Sequence, residues 1–242
     1  MNIELPILEK KYIECENHGN ARALLNGNCE ICFKEIESKH EKIENKVKLE
    51  KIRKQAKIPT RYQQSTFDNY IPTCDKSSRL KQRLETFDFK QNILLVGKTG
   101  TGKTHLACAL LNKSISISKS CMYMPFYRAI NYKIHDKPLF ERALTCQLLV
   151  IDEYGVQDSN YKKEMLQEII DERYLESTQD DPLITIIISN LQLSPSLEDI
   201  DKGITTGFLV NSISDATRSR LKENFFHCVD IDWEDYRVTK QN

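Results

Sequence analysis

Five short apolar runs punctuate the chain beyond residue 90. They are Asn92–Val96 (NILLV), Cys121–Met124 (CMYM), Leu148–Ile151 (LLVI), Leu183–Ile188 (LITIII) and Phe225–Ile231 (FFHCVDI). Several are continuous rather than alternating, as expected of strands covered on both faces. Between them lie segments long enough for crossover helices, Asn160–Ser177 among them. The alternation predicts an α/β fold built on a parallel five-stranded sheet. Upstream the pattern changes. Residues 34–57 contain no Gly or Pro and carry Ile36, Ile43, Val47 and Ile52 at roughly helical spacing. That is a charged helix with one narrow apolar stripe, and Pro59 is expected to end it. Residues 1–33 hold too few large apolar side chains for a core. The expected division is therefore a small region over 1–33, a connector helix over 34–57 and an α/β domain over 58–242.

Composition narrows the class. The chain has 242 residues, with 35 Lys and Arg against 35 Asp and Glu. Zero net charge excludes a uniformly basic protein but not a local patch. Residues 34–61 carry ten Lys and Arg against five Glu, which suits a solvated connector or a helix that docks on a partner or on nucleic acid. No run approaches the roughly 18 apolar residues of a membrane span. The first residues, MNIELPILEKKYIECE, do not read as a signal peptide. A cytoplasmic protein without membrane contact is expected, and disulfides are disfavoured in that compartment. Cys108, Cys121 and Cys146 sit in apolar stretches and read as core residues.

Residues 97–104 read GKTGTGKT, directly after the NILLV run and before the helical run HLACALLNK. This strand–loop–helix setting is that of a phosphate-binding loop. Gly97, Gly100 and Gly102 let backbone N–H groups converge on phosphate oxygens, together with Lys98, Thr99 and Thr101. The helix N-terminus adds partial positive charge. Lys103 is expected on the β- and γ-phosphates of ATP, and Thr104 on Mg²⁺. In LLVIDE, Asp152 ends a strand and can reach the same metal. Glu153 beside it can act as the base for an attacking water. Asn190, at the tip of LITIIISN, can orient that water or sense the γ-phosphate.

A second constellation lies near the N-terminus. Cys15-x-x-His18 is followed ten residues later by Cys29-x-x-Cys32. Two such pairs have the spacing of a structural zinc site, each turn presenting two ligands. A bound Zn²⁺ would replace the core this region lacks.

Taken together, GKTGTGKTHLA, LLVIDEYGVQ, YKKEMLQEIIDERY and IIISNL resemble, in order and spacing, the AAA+ ATPases of the DnaC/DnaI helicase-loader type and the related IstB transposition ATPases. The resemblance covers roughly residues 58–237, and IPTRYQQSTFDNY resembles the family's lead-in segment. It implies an AAA+ ATPase core that hydrolyses ATP between neighbouring subunits. It also implies a partner, a DnaB-type hexameric replicative helicase, that the chain binds through its N-terminal region and delivers onto single-stranded DNA. Self-assembly with ATP on the helicase follows from the shared site. The alternative within the resemblance is an IstB-like ATPase assisting a transposase; a small-molecule kinase is disfavoured because no substrate lid is found. SDATRSRLKEN resembles the helix carrying the trans-acting arginine, which is Arg218 or, in reserve, Arg220. Arg237 in WEDYR resembles the second sensor. Tyr132, Ser159 and Tyr161 correspond to the family's DNA contacts, with Arg128, Lys133 and Lys137 as nearby charge. The stretch 191–214 is longer than the family's link there. Eleven residues follow the last predicted strand, too few for a complete helical lid, which resembles the loaders.

Overall fold

The computed structural model describes residues 11–24, 26–155, 160–194, 209, 213–223 and 227–233. The chain divides into two compact units, Met1–Glu50 and Lys51–Asn242.

In the first unit, β1 (Tyr12–Cys15) and β2 (Gly19–Arg22) form an antiparallel hairpin. Helix α1 (Glu30–Gln55) follows and continues into the second unit. It starts four residues earlier than the sequence pattern suggests, because Cys29 and Cys32 lie at its N-terminal end rather than in a preceding loop. It also ends before Pro59 acts. Lys57 adopts φ +53°, a left-handed conformation that stops the helix. The expected apolar stripe is real but uncovered. Ile36, Ile43 and Val47 are exposed, whereas Ile52 is buried.

The second unit is the predicted parallel α/β fold. Helix α2 (Asp75–Glu85) precedes β3 (Ile93–Gly97), α3 (Lys103–Ser116) and β4 (Cys121–Pro125). Then come α4 (Ala129–His135), α5 (Lys137–Thr145), β5 (Leu148–Tyr154), α6 (Asn160–Glu176) and β6 (Ile184–Ser189). Helix α7 (Asp215–Glu223) and β7 (His227–Ile231) close the described order. The five strands run β4-β5-β6-β3-β7, every neighbouring pair parallel. All five residues of β3 and all six of β6 are buried, which is why the sequence shows unbroken apolar runs there. Cys108, Cys121 and Cys146 are core residues as expected.

The sheet positions the site. P-loop strand β3 lies between β6 and β7, so the C-terminal tips of β3, β5 and β6 open at one edge. The compact unit begins at Lys51, ahead of the expected boundary at 58, because Ile52, Ala56 and Ile58 are buried within it. Among the described residues no helix is long and apolar enough to cross a membrane.

Candidate nucleotide site and cysteine cluster

The loop after β3 is shaped by close approaches that only glycine permits. Gly97 has φ +139°, and a Cβ there would lie 2.1 Å from the Ile231 carbonyl oxygen of β7. Gly102 has φ +89°, and its Cβ would meet the Tyr70 ring at 2.7 Å. Thr101 Oγ1 donates to the Lys98 carbonyl at 2.9 Å, and the Trp233 indole N–H donates to the Thr101 carbonyl at 3.0 Å. Lys98 and Thr99 are exposed on the loop.

Lys103 opens α3. Its Nζ donates to the carbonyls of Gly97 and Lys98, at 2.6 Å each, and to Thr101 Oγ1 at 3.3 Å. Burial pushes its pKa down to about 8, against the opposing pull of Asp152. A phosphate dianion would restore the proton, so nucleotide binding takes up H⁺ above that pH. The sign follows. Affinity is full where Lys103 is already charged and is lost as pH rises through 8, by about tenfold between pH 7 and 9. Titration of a fluorescent ATP analogue without metal measures this. A flat profile would mean that Lys103 does not meet the phosphates.

Asp152 is buried near the tip of β5. Its Oδ2 accepts from Thr104 Oγ1 at 2.9 Å and from the Tyr123 hydroxyl at 2.8 Å, and its Oδ1 accepts from the Glu153 N–H at 2.8 Å. Thr104 and Asp152 thus form an all-oxygen pair suited to Mg²⁺. Glu153 sits in a β-bulge. Ile151 pairs with Ile187 and Tyr154 with Ser189, so two β5 residues oppose one β6 residue. Glu153 takes φ +62° and is exposed. Bulges of this kind re-aim a side chain beside a site, and here the side chain meets the cleft.

The cleft has a volume of about 450 Å³. Thr99, Gly100, Gly102, Lys103 and Thr104 line it with Asp152, Glu153 and Asn190, joined by Tyr62 and Tyr70 of the lead-in segment and by Ile71 just after it. The loop, both acids and Asn190 therefore come together as the sequence suggests. Tyr70, Trp233 and Tyr123 were not expected at the site. A lone hydroxyl within the apolar run CMYMP is the only sequence signal for Tyr123.

The remaining expectations divide. Arg218 is partly exposed and lies 3.4 Å from Asp215 one turn earlier. Arg220 is ion-paired with Asp171 of α6 in its own chain. Arg218 also donates from Nη2 to the Ile213 carbonyl at 3.4 Å, so both arginines are engaged within their own chain. Tyr161 is exposed, whereas Tyr132 is half-buried against the core. Lys133 is paired with Glu168 at 2.6 Å, so its charge is already engaged. Ser159 and Arg237 lie outside the described residues.

In the first unit, Cys15, His18, Cys29 and Cys32 converge, with all four donor atoms within 4.8 Å of one another. His18 Nδ1 lies 3.7, 3.8 and 3.3 Å from the sulfurs of Cys15, Cys29 and Cys32, and the Cys15 and Cys32 sulfurs are 3.5 Å apart. A tetrahedron with Zn–S bonds of about 2.3 Å and a Zn–N bond of about 2.0 Å has edges of roughly 3.5–3.8 Å. The residues fit a closed structural Zn²⁺ site. Gly19, at φ +61°, lets the chain turn straight from His18 into β2. The other nitrogen, Nε2, meets Glu35 at 3.2 Å, the carboxylate partner that fixes a ligating imidazole. The backbone N–H of Asn17 and then the His18 ring hold the Cys15 thiol down at about 6, while the neighbouring Cys15 sulfur pushes Cys32 up to about 11, so the pair shares a single negative charge at neutral pH.

The sequence profile of the family described as IstB-like ATP binding protein matches residues 33–241. The replicative helicase loader DnaC of Escherichia coli K12 is 30% identical over 141 residues, 52% of this chain and 58% of that protein. DnaC of Buchnera aphidicola from Acyrthosiphon pisum is 31% identical over 146 residues, 54% of this chain and 59% of that protein. The chain thus spans under two thirds of the length of these relatives. A crystal structure of the DnaC helicase loader superposes with a TM-score of 0.53 at 23% identity, covering 72% of this chain and 99% of that one. A crystal structure of DnaI gives 0.52 at 14%, covering 74% and 94%. These two likenesses concern the fold. With the phosphate loop, the acid pair and the parallel sheet in place, and the family profile running over most of the sequence, the chain belongs to the IstB-like ATP-binding family.

Proposed function

We propose that this chain is an ATP-hydrolysing loader that binds a hexameric replicative DNA helicase and delivers it onto single-stranded DNA. The observation that carries the reading is the 30% identity over 141 residues to the helicase loader DnaC of Escherichia coli. In this reading Lys103 and the loop amides hold the ATP phosphates, and Thr104 and Asp152 hold Mg²⁺. Mg²⁺ supplies charge neutralisation at the transferring phosphoryl group. Glu153 takes the proton of the attacking water, and Asn190 orients that water. Arg218 of a neighbouring copy, with Arg237, completes the site when chains assemble with ATP on the helicase. Tyr161, Ser159 and the exposed edge of Tyr132 offer stacking and polar contacts to the strand. The first unit, held by Zn²⁺ on Cys15, His18, Cys29 and Cys32, grips the helicase, and the uncovered Ile36, Ile43 and Val47 face supplies apolar contact.

A second reading, an ATPase that assists a transposase, draws on the family's description and on an ATP-binding protein of a Pseudomonas fluorescens insertion sequence that is 30% identical over 139 residues. Co-purification separates the two. The purified chain is expected to carry one zinc and to form an ATP-dependent complex with the host's replicative helicase. Cys29→Ser is expected to lose the zinc and the complex while keeping ATP binding. A second arm mixes Lys103→Ala with Arg218→Ala chains on the helicase, and hydrolysis that neither shows alone should return. A complex with a transposase and none with the helicase would overturn the loader reading.

A further inference from the structure

Asp152 accepts three hydrogen bonds, which fill three of the roughly four lone-pair positions of a carboxylate. Two of them come from hydroxyls on the same oxygen. Thr104 belongs to the phosphate loop and has an obvious place there. Tyr123 does not. It lies on the neighbouring strand β4, is 6% exposed, and is absent from the lining of the cleft. It stands outside the cleft lining, yet its hydroxyl donates to Asp152 at 2.8 Å.

The strand that carries Tyr123 is held from both sides. β4 pairs with β5 in register, Tyr123 opposite Val150 and Pro125 opposite Asp152. On the other edge the Tyr123 N–H donates to the Ala56 carbonyl at 2.7 Å. The phenol is therefore a fixed donor rather than a mobile one. A phenylalanine would fill the same space, and a buried hydroxyl is unfavourable without a partner.

The consequence lies in the direction of the Thr104 proton. A hydroxyl that donates to a carboxylate keeps its own lone pairs for a cation. This needs Asp152 to stay oriented with Oδ2 toward Thr104. Glu153 N–H fixes one carboxylate oxygen and Tyr123 fixes the other. We propose that Tyr123 is the positioning residue of the magnesium site, holding Asp152 so that the Thr104 oxygen faces the metal. The proposal rests on the ATP–Mg²⁺ reading above and adds a residue to it.

The test is Tyr123→Phe, which keeps every ring carbon and so preserves the packing. Affinity for a non-hydrolysable ATP analogue is measured in EDTA and across a Mg²⁺ series. Groups that orient a metal's ligands typically alter metal affinity 10–100-fold. The Mg²⁺ concentration that half-maximally tightens binding is expected to rise about tenfold, with affinity in EDTA unchanged. An unaltered Mg²⁺ response would overturn the proposal. So would an equal loss in EDTA, which would make Tyr123 a support of the loop rather than of the metal. If the wild-type protein itself shows no Mg²⁺-dependent nucleotide binding, the ATP–Mg²⁺ reading fails instead.

Discussion

Glu153→Gln is expected to keep ATP bound and to slow its hydrolysis by about 10²–10⁴-fold, the usual worth of a positioned general base. The amide is isosteric and tolerates the same φ of +62° no worse than the acid does. What it loses is the ability to accept a proton. Asp152 is buried and engaged in three hydrogen bonds, so it is poorly placed to take over. Lys103→Ala serves as the contrast and should lose the nucleotide itself. The two defects separate when analogue binding and phosphate release are measured on the same preparations. Hydrolysis at the wild-type rate by Glu153→Gln would remove the base assignment.

Arg173→Met is expected to lower the stability of the ATPase unit by about 4 kcal/mol, through unsatisfied polar groups rather than lost volume. Arg173 lies on α6 and is 2% exposed. Its Nε donates to Thr185 Oγ1 at 2.9 Å, and Nη2 donates to the Ile184 carbonyl at 2.8 Å. Its Nη1 donates to the carbonyls of Ala143, Leu144 and Cys146 at 2.8, 3.2 and 2.9 Å. One guanidinium thus ties α6 to the end of α5 and to the start of β6. Burial pulls its pKa down, but an arginine remains charged at any working pH. Methionine replaces the stem and leaves the acceptors unpaired in an apolar setting. In a unit of this size the thermal midpoint should fall by about 8–16 °C. A shift within a degree or two would mean that the acceptors find other partners at no cost.

The parts legible in the sequence are those with a short-range signature. Buried parallel strands leave unbroken apolar runs, and the phosphate loop is a contiguous string of residue types at fixed spacing. The paired x₂ spacings of Cys15, His18, Cys29 and Cys32 have their counterpart in four converging donors. What stayed hidden depends on contacts between distant residues. The ion pair between Arg220 and Asp171 cannot be read from SDATRSRLKEN, because its two members lie 49 positions apart. Tyr123 reads as a core aromatic until β4 is set beside β5. The bulge at Glu153 is a mismatch between two strands and has no expression within LLVIDEY. The end of α1 turns on the backbone of Lys57, whose φ of +53° is a conformation that glycine adopts more readily than lysine, so the residue type gives no sign of it.

The Ala56–Tyr123 hydrogen bond has a consequence for how such a chain can be divided or recombined. β4 is an edge strand of the sheet, and exposed strand edges invite pairing with other chains. Here the outward N–H of Tyr123 is taken by the Ala56 carbonyl. Two residues on, Pro125 has no N–H to offer, the residue type tolerated at a strand edge. A polypeptide beginning at residue 58 would keep every nucleotide-binding residue and yet bare the Tyr123 amide, turning a guarded margin into a template for β-augmentation. The end of the connector helix is thus the selvage of the ATPase sheet. An exchange of N-terminal modules between related chains stays free of self-association only when this end travels with the sheet it seals.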